Sequence, residues 1–238
     1  MKQKIYNLII LDRSGSMIDL QKTAVNSVNE TLQTILESHR KEENQEHYVT
    51  FVSFNHEVNT LYSALPAEQT KELTVEDYRP SGMTALHDAI GMAVTELRSK
   101  ITPEDRVLVT IITDGLENSS KEYNAQMIKS MIDELKESGW VFVYIGANHD
   151  VVTTAASISI HNTMIFEASA EDFDRASKRT DQARRGLFHK MAKINIDSKA
   201  VDSTFYEEDE ESKQTLPKHL KSTHYDLQDK THFGPCPP

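Results

Sequence analysis

Cysteine is almost absent from this chain: Cys236 stands alone in 238 residues. No internal disulfide and no Cys-rich metal site can form, a usage that fits a reducing cytosol, and an inert thiol is the plainer reading of Cys236 itself. Positive charge is also scarce. The chain has 26 Lys and Arg against 37 Asp and Glu, a formal net charge of −11. A nucleic-acid backbone or an anionic membrane surface is recognised by clustered Lys and Arg, so both are disfavoured as partners and a cation is the natural complement. No stretch approaches the ~18 uninterrupted apolar residues of a membrane span. The opening, MKQKIYNLIILDRSGSM, has a short apolar run broken at Asp12 and no small-residue cleavage site after it, so no signal peptide is read and a cytoplasmic protein is expected. Two nucleotide and acyl-transfer signatures are missing as well: there is no G-x-x-x-x-G-K-S/T phosphate loop and no G-x-S-x-G elbow.

What is present is a regular alternation. Short runs rich in β-branched and aromatic residues occur at 4–11 (KIYNLIIL), 47–54, 106–113, 140–147 and 163–168, each bounded by polar residues. Between them, apolar residues recur at helical spacing: Val25, Val28, Leu32, Ile35 and Leu36; then Leu86, Ile90, Ala93, Val94 and Leu97; then Met127, Ile128, Met131, Ile132 and Leu135. Residues 54–58 are too few for a helix, so VNTLYSAL pairs antiparallel with the preceding strand as an edge hairpin. The expected fold is α/β: a three-layer, Rossmann-like, mostly parallel sheet with one antiparallel edge strand and helices on both faces.

Residues 172–193 read as a closing helix with Phe173, Ala176, Thr180, Ala183, Leu187 and Met191 on one side. The other side carries Arg175, Lys178, Arg179, Arg184 and Arg185, read as a solvated face in preference to a docking patch. The domain is expected to span residues 1–193. Residues 194–238 hold an acidic block (Glu207, Glu208, Asp209, Glu210, Glu211), four of the seven prolines and few aliphatics, and are expected to form an unfolded tail.

In an open parallel sheet, ligands bind beyond the carboxyl ends of the strands, where the order of connection reverses. Asp12, Ser14 and Ser16 follow the first strand in ILDRSGSM; Thr84 lies in SGMTALHDAI; Asp114 follows the strand at 106–113 in IITDGLENSS. If those two strands are neighbours, the five residues meet at one edge. Helix caps and turns explain any of them singly. Together they offer two carboxylates and three hydroxyls, with no sulfur or imidazole, a set suited to a hard cation such as Mg²⁺. Gly15 is expected to relieve crowding in the first loop, and Gly82 and Gly115 in the other two.

With these residues in place the chain resembles a von Willebrand factor type A (integrin I-like) domain carrying a metal-ion-dependent adhesion site. Its D-x-S-x-S, threonine and aspartate pattern is matched by Asp12, Ser14, Ser16, Thr84 and Asp114, and the likeness runs over roughly residues 3 to 193. The resemblance implies a six-stranded sheet and direct contact of Ser14, Ser16 and Thr84 with Mg²⁺, Mn²⁺ and Ca²⁺ being the alternatives. Asp12 and Asp114 would act through water, and an Asp or Glu of a protein partner would fill the sixth position. The implied function is a non-enzymatic, metal-dependent protein-binding module, by family analogy an accessory subunit of an intracellular bacterial complex. The alternative is a metal-dependent hydrolase or phosphoryl-transfer enzyme, and a third reading has the metal only stabilise the fold. Asp88, one turn into the helix after Thr84, is expected to support the loop by hydrogen bonding, a plain surface carboxylate being the rival reading. His149 is a candidate ligand-proximal group or base, while solvation is the plainer reading for it, as for His56 and His87. Arg13 and Met17 flank the metal loop, Met17 as the start of a buried stripe. Members of that family can couple ligand binding to a shift of their last helix, the position that residues 172–193 occupy here, and the sequence leaves open whether this chain switches.

Overall fold

Every side chain from Ile5 to Asp12 is buried, on both faces of the strand, which is the mark of a central parallel strand covered above and below. The structure is a computed structural model and describes residues 2–147, 151–167, 169–192 and 205–206. Six strands, β1 (Gln3–Asp12), β2 (Gln45–Phe54), β3 (Val58–Pro66), β4 (Arg106–Thr113), β5 (Trp140–Ala147) and β6 (Asn162–Phe166), form one sheet in the order β3-β2-β1-β4-β5-β6. All neighbours are parallel except β3, which runs antiparallel to β2 at the edge. The reversal of strand order thus falls between β1 and β4, with Leu11 opposite Ile112.

Alternate side chains of β1 feed two cores. Ile9 and Leu11 join the layer under α1 (Gln21–Lys41) and α5 (Ala170–Ala192), together with Val28, Leu32, Phe51 and Phe173. Leu8 and Ile10 join the opposite layer with Ile90, Val94, Ile132 and Phe142, under α2 (Leu86–Arg98), α3 (Ala125–Glu137) and α4 (Val151–Ser157). No helix among the described residues is long and apolar enough to cross a membrane.

Several expectations change in the three-dimensional structure. Arg184 is 1% exposed and belongs to the seam between α1 and α5, not to the solvated basic face. Its Nε donates to Asp181 Oδ1 at 3.2 Å and its Nη2 to Thr110 Oγ1 at 3.2 Å, so acceptors on its own helix and on β4 make burial of the guanidinium tolerable. Thr31 Oγ1 donates to the same Asp181 oxygen at 2.9 Å, and Ser27 to Ser177 at 2.6 Å. The other cations of α5 do face water: Arg175 pairs with Asp172, Lys178 with Asp174 and Arg185 with Glu37. Met127 is half exposed, because α3 meets the sheet through the narrower stripe of Ile128, Ile132 and Leu135. Helix α4, only seven residues of VVTTAAS, carries too short a repeat to stand out in sequence.

Beyond α5 the structure describes Phe205 and Tyr206. Phe205 is buried against the α1–α5 layer, Tyr206 packs beside it, and the Tyr206 hydroxyl lies 3.1 Å from Thr180 Oγ1. His149, the acidic block from Glu207 and Cys236 lie outside the described residues.

Candidate metal centre

Three loops meet at the carboxyl end of β1 and β4, and backbone hydrogen bonds set their mutual positions. Leaving β1, Arg13 N–H donates to Phe54 O at 2.6 Å, which keeps the loop beside β2. Ser81 N–H donates to Arg13 O at 2.7 Å and Gly15 N–H to Gly82 O at 3.0 Å, clamping the 80–84 loop onto the 12–16 loop. Thr84 and Asn118 bond reciprocally: Thr84 N–H donates to Asn118 Oδ1 at 2.9 Å, and Asn118 N–H to Thr84 O at 3.0 Å. The loop after β4 is thereby tied to the loop before α2.

Within this frame the side-chain oxygens converge. Asp12 Oδ1 accepts from Ser14 N–H at 2.7 Å, and its Oδ2 accepts from Thr113 Oγ1 at 2.5 Å. Ser14 Oγ lies 3.1 Å from Ser16 Oγ, and Ser16 Oγ donates to Asp114 Oδ1 at 2.6 Å. Thr84 is brought in at Gly115: a methyl group placed there would stand 3.1 Å from Thr84 Oγ1 and 3.6 Å from both Asp12 Oδ2 and Ser16 Oγ. All five sequence-selected donors therefore sit around one point, and Gly115 lies against it where a side chain would crowd Thr84. Gly82 is required for a different reason. Its φ of +79° is a left-handed conformation that side chains rarely adopt, and His56 Nδ1 would stand 2.5 Å from an added carbon. At Gly15 an added carbon would meet only ordinary contact, 3.5 Å from Gly82 O, so relief of crowding is not its role there.

Burial governs the electrostatics. Asp12 is fully buried, and desolvation pushes its carboxyl up to about 6 against the pull of the Thr113 and Ser14 hydrogen bonds. Asp114 is raised as well, again by burial first, with the Ser16 hydroxyl opposing. Among the described residues neither carboxylate has an ion-pair partner. Two desolvated carboxylates without a basic residue, ringed by hydroxyls, form a site whose missing complement is positive charge. The atoms that converge here are carboxylate and hydroxyl oxygens, a donor set that fits a hard cation and not a soft one.

A second layer holds the loops. Asp88 is nearly buried and accepts three backbone N–H groups, from Lys121, Glu122 and Tyr123, at 2.8–2.9 Å, so it shapes the loop after β4. Glu117 works in the opposite direction: it accepts from His87 N–H at 2.9 Å in the first turn of α2, which has no side-chain cap of its own. Burial raises the Glu117 carboxyl, but hydrogen bonds from Ser120, His87 and Ser119 outweigh it and leave the group below its ordinary value. Tyr78 donates to Asp12 O at 2.5 Å, and Asn55 Nδ2 to Ser81 O at 2.7 Å. Thr113, Tyr78, Asn55, Glu117 and Asn118 escape sequence reasoning; only the polar run LENSS after Asp114 hints at two of them. His87 is half-buried beside Glu117, His56 is exposed above Gly82, and Met17 is buried below the loop.

A profile of the von Willebrand factor type A domain matches residues 8–181. No curated protein matches the chain. Among solved structures, proximal thread matrix protein 1 from the mussel byssus is 14% identical with a TM-score of 0.59, covering 77% of this chain and 47% of its own. The same protein with a zinc-occupied MIDAS motif is 17% identical, with a TM-score of 0.57 and coverage of 74% and 47%. BatB from Bacteroides thetaiotaomicron is 14% identical with a TM-score of 0.51, covering 76% of this chain and 98% of its own. The chain thus spans about half the length of the mussel protein, and these likenesses show the shared fold.

Proposed function

This chain belongs to the von Willebrand factor type A domain family, and from that premise we propose that it is a Mg²⁺-dependent, non-enzymatic protein-binding module that captures an Asp or Glu side chain of a partner. The observation that carries the reading is the meeting of Asp12, Ser14, Ser16, Thr84 and Asp114 around one point, with the buried Asp12 and half-exposed Asp114 carboxylates lacking a basic partner among the described residues. The relative whose adhesion-site motif is occupied by zinc supports divalent binding in this fold. Mg²⁺ suits the all-oxygen donors here, with Mn²⁺ and Ca²⁺ as the alternatives.

Ser14, Ser16 and Thr84 would hold the ion directly, and Asp12 and Asp114 would hold its waters. An ion bound mainly by neutral hydroxyls supplies a strong acceptor for an incoming carboxylate. The chain's own contribution is to place that acceptor at the surface: Ser16 is exposed and Asp114 half-exposed, while Thr113 and Ser14 N–H hold Asp12 from beneath. The structurally similar byssal matrix protein agrees with adhesion in preference to turnover. We place the protein in the bacterial cytoplasm as an accessory subunit of a larger complex, on family analogy.

Affinity capture from source-cell lysate tests this reading. A partner retained by the wild-type chain in Mg²⁺, and lost both in EDTA and with a folded Asp114→Ala variant, is the expected result. Equal retention in all three arms would overturn it.

A further inference from the structure

Resting on the metal-dependent reading above, we propose that the partner's acidic residue is flanked by apolar side chains, read by Ile18, Met83 and Leu116. These are among the most exposed large apolar residues described, at 60%, 57% and 61%. Isolated exposed apolar side chains are ordinary on a protein surface. These three are not isolated. Ile18 lies two residues after Ser16, Met83 precedes Thr84 and Leu116 lies two residues after Asp114, so each of the three converging loops presents one beside a donor. The loops are joined by the Gly15–Gly82 and Thr84–Asn118 contacts, which gathers the three exposed positions on loops that share a single centre.

Charge around this rim narrows the partner further. Asp88 and Glu117 turn inward and spend their oxygens on backbone N–H groups, so neither offers a charge to a visitor. Arg13 lies 4.0 Å from Glu57. Asp19 is exposed next to Ile18, so the first loop carries negative charge beside its apolar residue and disfavours a second acidic group there. The fitting occupant is therefore one carboxylate in an apolar setting, not an acidic cluster: the ion supplies attraction without selectivity, and the rim supplies selectivity.

The experiment is a library of immobilised octapeptides with one fixed Glu and the four adjoining positions varied, probed with the full chain in Mg²⁺ and in EDTA. Retention in Mg²⁺ only, with Leu, Ile, Met or Phe enriched beside the Glu, is expected. Leu116→Ser or Met83→Ser should lower retention on the best peptides by roughly 10-fold, the effect of losing one buried interface side chain, while Mg²⁺ binding stays unchanged and Leu116→Met restores retention. Mg²⁺-dependent retention with no apolar preference, or indifferent to the serine variants, would overturn the rim and leave the metal-dependent module standing. Absence of any Mg²⁺-dependent retention would overturn both.

Discussion

Thr113 Oγ1 donates to Asp12 Oδ2 at 2.5 Å, so the last residue of β4 holds the carboxylate that ends β1. The bond crosses the one place in the sheet where strand order reverses, and it aims Asp12 toward the loops.

Thr113→Val removes that donor while conserving shape. One oxygen of Asp12 loses its partner, and outer hydrogen bonds of this kind are worth about 10–100-fold in metal affinity. Titration of Mg²⁺ into the variant should show a loss of that order with circular dichroism unchanged; undiminished affinity would remove Thr113 from the site.

Asp88→Ala deprives three backbone N–H groups of their acceptor and frees the loop that carries Asp114. Unfolding in urea should show a loss of about 1–3 kcal/mol, the cost of an unsatisfied buried group. Mg²⁺ affinity should fall as well. A variant as stable as wild type would return Asp88 to the status of a surface carboxylate.

Arg184→Met leaves Asp181 buried without its cation, a change expected to cost about 3–5 kcal/mol. Adding Asp181→Leu removes the stranded charge and should recover much of the loss, although Thr31 and Thr110 then lose a partner. A double variant no more stable than Arg184→Met would contradict this account of the seam.

His47, 1% exposed against Phe188, has its pKa lowered to about 3, chiefly by burial and secondarily by His39. The native ring stays neutral, whereas the unfolded chain takes up a proton below about pH 6.5. Its stabilising contribution is therefore full above that pH and is lost as pH falls toward 3, at up to about 1.4 kcal/mol per pH unit. The difference in unfolding free energy between wild type and His47→Gln should shrink over that window. Taking the difference cancels other titrating groups, Asp12 among them. A pH-independent difference would refute it.

The strands and layers were legible because each strand is a short apolar run and each long helix a periodic stripe, signals that local sequence carries, whereas the adjacency of β1 and β4 stayed a condition until the sheet order was seen. The convergent oxygens were legible for a similar reason: D-x-S-x-S is contiguous, Thr84 lies two residues after Gly82, and Asp114 directly precedes Gly115. What stayed hidden acts across the fold. Arg184 reads as one more surface cation until Asp181, three residues earlier, and Thr110 on β4 are seen to enclose it. Glu117 caps a helix that begins thirty-one residues before it in sequence, and no spacing rule predicts that. Phe205 and Tyr206 sit in an acidic, proline-bearing stretch whose average composition argues against burial, yet two aromatic rings suffice to dock there.

Calorimetric titration of Mg²⁺ into the wild-type chain and into folded Asp12→Asn and Thr84→Ala variants tests the central claim most directly. A single saturable site in the wild type, lost or greatly weakened in both variants, is the predicted result. No binding by the wild type, or equal binding by all three proteins, would contradict it.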